Sequence, residues 1–241
     1  MKPRSPLRAG FDLARAGNFP SVASNVLTAL VLAAPSGPAW PAATQAAIAI
    51  LAGCLVYAGG ATLNDVADAA FDAQRRPERA IPRGVVARGT AAWLGAIEVA
   101  AGIGILVWAG ASLLLGLALV ATILAYDWLH KRWSGSVVLM AGCRVFLALT
   151  LASLPGHAVG PAFGFWVAGL FSYIVVLSVL ARAEYQPGAP AGRGRAIGKL
   201  LAFIPLLDAT ALLATGALLP ALACAAMIPL GRLAQRLAAS T

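Results

Sequence analysis

Residues 42–63 read AATQAAIAILAGCLVYAGGATL, an apolar run with no charged residue, and lead directly into the polar residues 64–84, NDVADAAFDAQRRPERAIPRG. About 20 apolar residues in a helix cross the roughly 30 Å of hydrocarbon in a bilayer. The first run therefore predicts a membrane-spanning helix, and the second predicts polar chemistry where that helix leaves the membrane.

The rest of the chain repeats this alternation. Of its 241 residues, 60% are hydrophobic and 11% are charged, whereas a soluble domain carries about 25% charged residues. The pattern predicts an all-α transmembrane bundle of about eight helices, with seven to nine left open, in a single domain over residues 19–241 after an N-terminal cytoplasmic arm or surface helix over 1–18. The predicted segments are 19–34, 42–63, 87–109, 111–127, 136–154, 159–181, 197–216 and 218–237.

The basic residues are distributed unevenly between the two sides of this bundle. The chain has 18 Lys and Arg against nine acids, a net charge of +9. Every second connection is basic, and the connections between them carry no Lys or Arg, as the positive-inside rule requires. Orientation in the membrane therefore explains the positive charge without a nucleic-acid partner. It predicts a multi-pass protein of the inner (plasma) membrane, with both termini and the connections 64–86, 128–135 and 182–196 in the cytoplasm.

Acids cluster in the first of these connections. At 100° per residue Asp65, Asp68 and Asp72 fall within about 60° of one another on a helix, with Asn64 nearby. Such carboxylates repel one another and need a cation. Mg²⁺ prefers oxygen ligands and is shared with substrate phosphates, and the arginines that follow are suited to phosphate oxygens. The other interpretation is an acidic helix end paired with its own arginines in a solvated loop.

The pattern Asn-Asp-x-x-Asp-x-x-x-Asp, followed by Arg-Pro and Ile-Pro-x-Gly, resembles the first aspartate-rich motif of the UbiA superfamily of intramembrane prenyltransferases. The resemblance implies a bundle of usually nine helices around a central cavity, and Mg²⁺-dependent transfer of a prenyl group from a prenyl diphosphate to a lipophilic acceptor, aromatic or polyol. It implies that Asp65, Asp68 and Asp72 are catalytic, that they and Asn64 bind Mg²⁺–diphosphate, and that Arg75 and Arg79 contact the anion.

The second basic connection contains the segment YDWLHKR at 126–132. It is similar to the family's Tyr-x-x-x-Lys-Arg segment, with one extra residue before Lys131 or with His130 in the lysine's place. The resemblance implies a catalytic Lys131 and substrate contacts from Tyr126, His130 and Arg132. A helix end whose basic and aromatic side chains reach the membrane interface is the alternative. Together with Cys143-Arg144, the segment also resembles a UbiA-like subgroup called EboC.

The third basic connection departs from the family. UbiA enzymes carry a second aspartate-rich motif there, whereas this chain reads RAEYQPG at 182–188, with Glu184 as its acid. Glu184 is either a metal ligand, with Arg182, Arg193 or Arg195 assisting at the diphosphate, or an ion-pair partner of Arg182. Two functions follow: a membrane prenyltransferase, or a non-catalytic isoprenoid-binding or transport protein on the same scaffold.

Three ionisable residues, Glu98, Arg144 and Asp208, lie within predicted spans. Charges inside a membrane are expected to face the bundle interior and to serve a function. Glu98 or Asp208 could orient an acceptor hydroxyl or pair with Arg144. A transporter unrelated to prenyl lipids would also use such residues, but it leaves the block at 64–84 unexplained.

Overall fold

The computed structural model describes residues 6–34, 40–182 and 193–238, and every regular element within them is helical. The all-α fold predicted from the sequence is confirmed. The α-helices are α1 (Pro6–Leu13), α2 (Phe19–Leu32), α3 (Ala43–Ala67), α4 (Ala69–Arg75), α5 (Arg88–Trp108), α6 (Leu113–Leu129), α7 (Val137–Ala152), α8 (Pro161–Arg182), α9 (Arg193–Ala202), α10 (Ile204–Ala214) and α11 (Leu218–Leu237). Single 3-10 turns at Ala16–Asn18 and Ser134–Ser136 precede α2 and α7.

Six stretches of the described residues are long and apolar enough to cross a membrane. They are Ala43–Ala67, Arg88–Trp108, Ser134–Ala152, Pro161–Arg182, Ala196–Ala214 and Leu218–Arg236. Two shorter apolar stretches, Ala16–Leu32 and Leu113–Leu129, correspond to the remaining two predicted segments. The chain is therefore a multi-pass membrane protein, as its sequence predicted.

The predicted segment 197–216 is divided at Phe203, between α9 and α10. Pro205 lies in the first turn of α10. Its ring has no N–H to donate and would clash with the carbonyl four residues earlier in a continuous helix. The same ring is tolerated in a first turn, so the chain begins a new helix there.

Small residues bring α3 and α5 into close contact. A Cβ atom on Gly59 would lie 2.6 Å from the carbonyl oxygen of Gly95, and one on Gly102 would lie 2.6 Å from that of Ala52. Glycines at such crossings let helix backbones approach in membranes. The contact fixes α3, whose last turn carries Asn64 and Asp65, firmly against its neighbour.

The polar connections meet at one end of the bundle, which we call the site face and define as residues 68–87 and 130–136. Lys131 Nζ lies 3.0 Å from Asp68 Oδ2, and Arg182 Nη1 donates to the carbonyl oxygen of Ser134 at 2.6 Å. Helices α3, α6 and α8 therefore end at the site face, and α7 begins there. The first two basic connections therefore lie side by side, with Arg182 of the third connection next to them, whereas residues 183–192 lie outside the described residues.

A cavity of about 480 Å³ opens into the half of the bundle next to the site face. Its deepest lining residues, Val56, Leu119 and Leu147, are buried. At 1.5 Å per helical residue they lie about 16–18 Å from the site face. Farther from the site face the interior is filled, since Ala52 and Leu151 are fully buried. We call Val56, Leu119 and Leu147 the floor of the cavity.

The described part of the N-terminal arm, residues 6–18, packs against this end of the bundle. Ala9 and Leu13 of α1 are each 2% exposed. After α1 the chain turns at Arg15, which has the left-handed backbone angles φ 46° and ψ 46°. A non-glycine residue is uncommon in this region, and the turn directs the Arg15 side chain to the end of α3.

Candidate active site

The three aspartates lie where α3 passes into α4. Asp68 connects the two helices and keeps near-helical angles, φ −83° and ψ −4°, so the aspartates stay close to helical spacing. Asp65, Asp68 and Asp72 are 8%, 9% and 2% exposed. Carboxylates buried to this extent require partners, and the structure supplies each one with a cationic side chain.

Arg79 joins the first and last of the aspartates. Its Nη1 lies 2.9 Å from Asp65 Oδ1 and 2.9 Å from Asp72 Oδ2. The sequence predicts that Arg79 contacts a substrate anion, and here the guanidinium binds the chain's own acids. Arg75, the other predicted contact, is exposed, with its guanidinium carbon 6.0 Å from the centre of the Phe71 ring.

A second guanidinium reaches the same acids from the N-terminal arm. Arg15 Nη2 donates to Asp65 Oδ1 at 3.0 Å and lies 3.3 Å from Asn64 Oδ1. The sequence does not indicate this role of Arg15, because a basic residue before the first span looks like an ordinary orientation signal. No local spacing relates Arg15 to residues 49 and 50 positions later.

Asp68 is held from the opposite side by the second basic connection. His130 Nε2 lies 2.9 Å from Asp68 Oδ1, and Lys131 Nζ lies 3.0 Å from Asp68 Oδ2. Burial alone would raise the pKa of the Asp68 carboxyl, but the hydrogen bonds and charges of His130 and Lys131 outweigh burial and hold that pKa below its ordinary value. The sequence left open whether His130 or Lys131 matches the family's lysine, and both contact the acid.

Asp72 is in the opposite electrostatic situation. Burial raises the pKa of its carboxyl, the negative charges of Asp68 and Asp65 add to this effect, and Arg79 offsets only part of it. A raised carboxyl pKa means that the ionised form needs more positive charge than it has. Asp72 is therefore the acid that would gain most from an additional cation.

Asn64 is oriented by Asp127, an acid that is not among the site residues predicted from the sequence. Its Nδ2 donates to Asp127 Oδ1 at 3.0 Å, which leaves Oδ1 of the amide directed to the Arg15 guanidinium. Next to Asp127, the Tyr126 and His130 rings stack with centroids 5.0 Å apart. One signal could have identified Asp127: an acid one turn before a predicted site histidine, at the end of an apolar helix.

Arg182 binds the backbone of the second basic connection. Its guanidinium donates to the carbonyl oxygens of His130 at 3.2 Å and Ser134 at 2.6 Å, and to the hydroxyl of Ser136. These bonds fix the segment that carries His130 and Lys131. Arg132 is exposed, with its guanidinium 5.9 Å from the centre of the Trp128 ring.

Of the residues predicted in the third connection, the structure describes the position and contacts of the Arg182 side chain alone. Glu184 lies outside the described residues, as do the side chains of Arg193 and Arg195. Their predicted roles at the metal and the diphosphate stay predictions.

The charged residues surround the mouth of the cavity. Its lining includes most of the predicted site residues, namely Asn64, Asp68, Asp72, Arg79, Tyr126, His130, Lys131 and Arg182. Deeper in, the walls include the apolar side chains of Ile123 on α6 and Ile174 on α8. Of the ionisable residues within spans, Arg144 lines the cavity, whereas Glu98 and Asp208 do not.

The donor set at the mouth is chemically suited to Mg²⁺. Within the described residues, no group of three or more His, Cys, Asp or Glu side chains converges as a ready metal site. However, carboxylate oxygens of Asp65 and Asp72 already meet at one cationic atom, Arg79 Nη1. An ion that prefers oxygen ligands and retains waters would take the place of that guanidinium.

A family model described as the UbiA prenyltransferase family matches residues 22–237, from the first turn of α2 to the end of α11. No curated protein and no solved structure matches the chain.

Proposed function

The chain belongs to the UbiA prenyltransferase family, and on that premise we propose that it transfers a prenyl group from a prenyl diphosphate to a lipophilic acceptor, with Mg²⁺ at the site face. One observation carries the proposal: acids and cations surround the mouth of a cavity whose deeper walls are mainly apolar. The charged side chains suit a metal-bound diphosphate, and the cavity suits a hydrocarbon chain.

Asn64, Asp65, Asp68 and Asp72 would hold the ion, and Glu184 is a further candidate in the third connection. Bound there, Mg²⁺ would neutralise the charge on the diphosphate and make it a better leaving group. The acids of this chain then exchange one partner for another, because the guanidinium groups of Arg15 and Arg79 now occupy Asp65 and Asp72.

The basic side chains act on the departing diphosphate. When the bond between the allylic carbon and the diphosphate oxygen breaks, both bonding electrons leave with the oxygen. Lys131, His130 and Arg79 line the mouth and can donate hydrogen bonds to this oxyanion, which lowers the barrier because the negative charge develops there. The acceptor forms the new bond to the allylic carbon and loses a proton.

The cavity walls protect the reacting carbon. Ile123 and Ile174 are 7% and 4% exposed and present hydrocarbon to the interior. An allylic cation in water would be captured as an alcohol, so a dry cavity favours the acceptor over water.

The distribution of basic residues supports a cytoplasmic location for the site face and both termini, in the inner (plasma) membrane. In this orientation the site face is open to the cytoplasm, in which soluble diphosphates and Mg²⁺ are present.

The proposal is tested with the purified full-length protein, labelled prenyl diphosphates and a panel of aromatic and polyol acceptors. We expect acceptor-dependent release of diphosphate, and a decrease of about 100- to 1000-fold in kcat in Asp68→Asn, as for loss of one preorganised electrostatic contact. Glu78→Gln, an exposed acid of the same connection, is the matched control. Binding of the prenyl diphosphate without release in the presence of any acceptor would instead indicate a carrier.

A further inference from the structure

The side chain of Asn64 lies between two side chains of opposite charge at the mouth of the cavity. Its Nδ2 donates to Asp127 Oδ1 at 3.0 Å, and its Oδ1 accepts from Arg15 Nη2 at 3.3 Å. The two ends of an amide differ, since Nδ2 donates hydrogen bonds and Oδ1 accepts them. An acid on one side and an arginine on the other therefore favour one orientation of this amide and oppose the flipped one.

This orientation is the one in which Asn64 can bind a metal ion. Mg²⁺ takes oxygen ligands, so the amide can contribute Oδ1 but not Nδ2. The Oδ1 atom is on the side of Arg15, whose Nη2 also contacts Asp65 Oδ1 at 3.0 Å. One cationic nitrogen is thus shared between the amide oxygen of Asn64 and a carboxylate oxygen of Asp65, both of which are suitable ligands for the ion.

The two partners of Asn64 respond in opposite ways to a bound ion. A guanidinium and a divalent cation repel each other, so Mg²⁺ at these oxygens requires Arg15 to leave them. Asp127 is negative, is attracted by the ion and can stay in place. Among the partners that the structure describes for the Asn64 side chain, Asp127 is then the one that keeps Oδ1 directed to the ion.

The carboxylate of Asp127 differs from the other acids that line the cavity. Asp68 and Asp72 each have a cationic partner. Within the described residues, no basic side chain lies within ion-pair distance of Asp127, and its buried Oδ2 has no hydrogen-bond partner. Hydrogen bonds to an ionised acceptor are about twice as strong as neutral ones. With no cation competing for the carboxylate, Asp127 is well suited to hold the amide of Asn64.

We propose that Asp127 is a positioning residue for the metal site, which holds the Asn64 amide with Oδ1 toward the ion and acts on the ion through Asn64. The assignment of this ion as the Mg²⁺ of prenyl transfer rests on the proposed function, whereas the orientation of Asn64 by Asp127 does not. Hydrogen bonds that orient metal ligands typically contribute about 10- to 100-fold to metal affinity. The second basic connection thereby supports the ion in a chain whose third connection has Glu184 as its acid.

Titration with Mn²⁺ tests the positioning role without any turnover. Mn²⁺ binds to the same carboxylate and carbonyl oxygens as Mg²⁺, and electron paramagnetic resonance measures its binding to the detergent-solubilised full-length protein. We expect Asp127→Asn to weaken Mn²⁺ binding about 10- to 100-fold, because an asparagine can turn either end of its amide to Asn64. Glu78→Gln, which removes an exposed acid of the first basic connection, should bind Mn²⁺ as the unmodified protein does. Unchanged affinity in Asp127→Asn, or no detectable binding by the unmodified protein, overturns the proposal.

A double-mutant cycle separates positioning through Asn64 from a direct effect of the Asp127 charge on the ion. Asn64→Ala removes the amide, so Asp127 has nothing left to orient in that variant. If Asp127 acts through Asn64, the double variant with Asn64→Ala and Asp127→Asn binds Mn²⁺ as tightly as Asn64→Ala alone. If the effects of the two substitutions multiply, the positioning role is wrong. Thermal unfolding in a chelator shows that the variants are folded, and Asp127→Ala takes the place of Asp127→Asn if the latter does not fold.

Different results refute the positioning role and the proposed function. Mn²⁺ binding that depends on Asp127 through Asn64, without release of diphosphate in the presence of any acceptor, would refute the proposed function and leave the positioning role. Prenyl transfer by a protein in which the effects of Asn64→Ala and Asp127→Asn on Mn²⁺ affinity are independent would refute the positioning role and leave the function.

Discussion

Replacement of Arg79 by glutamine tests whether its guanidinium neutralises Asp65 and Asp72 at the position that Mg²⁺ would take. Arg79 Nη1 contacts both Asp65 and Asp72 at 2.9 Å, and the three side chains are 15%, 10% and 3% exposed. Removing one partner of a buried ion pair costs about 3–5 kcal/mol. Because Arg15 still contacts Asp65, the loss falls mainly on Asp72, and we expect the lower end of the range, about 3 kcal/mol.

A loss of that size is measurable as a shift in Tm. A change of 1 kcal/mol moves Tm by about 2–4 °C in proteins of 150–250 residues, so Arg79→Gln should unfold about 6–12 °C earlier than the unmodified protein in a chelator. Added Mg²⁺ should then stabilise the variant more than the unmodified protein, because in the variant no guanidinium has to leave Asp72. An ion at 100 times its Kd contributes about 2.7 kcal/mol, enough to restore most of the loss.

The assay is thermal unfolding in detergent, with chelator or with Mg²⁺ at matched ionic strength. Arg83→Gln, an exposed arginine of the same connection, serves as the control and should shift little in either condition. Two results would refute the reasoning: an Arg79→Gln protein as stable as the control, or an equal gain from Mg²⁺ in the variant and the unmodified protein. An equal gain from Mg²⁺ would show that the aspartates do not bind the ion.

Two further substitutions test the cavity and its support. Leu147→Ala opens the floor and should shift the preferred substrate toward a prenyl chain one isoprene unit longer, measured as the product ratio from a mixture of labelled prenyl diphosphates. Leu151→Ala is the control, since Leu151 lies one turn deeper and is fully buried. Both variants should lose about 2–5 kcal/mol of stability, but Leu151→Ala should not change the product ratio. A changed ratio in both variants, or in neither, contradicts a length limit at the floor. Arg182→Lys cannot reproduce the bonds to several backbone carbonyls, and hydrogen exchange at residues 130–136 should become faster while α3 is unchanged. Arg88→Lys is its control, since Arg88 is exposed and its Nε donates to one carbonyl, that of Val66; exchange as slow as in the unmodified protein would show that Arg182 does not fix the segment.

The fold follows from the sequence because its signal is local. A run such as 42–63 contains its own evidence for a spanning helix, since burial in lipid requires nearly every residue to be apolar. The division at Phe203 was also accessible, because Pro205 lies inside the predicted segment. The spacing of Asp65, Asp68 and Asp72 likewise predicts that they lie near one another.

The partners of those aspartates are not local, and the sequence identifies them only in part. Lys131 lies in a segment that resembles one of the family, whereas no pattern marks Arg15, which reaches Asp65 only through the fold of the arm. Arg182 illustrates the opposite case. Its position beside the site was predicted, but its contacts are backbone carbonyls of a different connection, which no pattern of side chains encodes.

The pairing of Asp65, Asp68 and Asp72 with cations of the chain has a consequence for the order of binding. Under the proposed function, Mg²⁺ alone must displace Arg15 and Arg79 from the carboxylates, and diphosphate alone must attract those arginines away from the same acids. Binding of either ligand therefore breaks some of the ion pairs that the other ligand must break to bind. Because the coupling between two ligands is reciprocal, Mg²⁺ and diphosphate should bind cooperatively, and the apparent affinity for either should be low without the other. Without ligands, the acids and arginines neutralise one another, which offsets the desolvation cost of burying three carboxylates at a membrane edge.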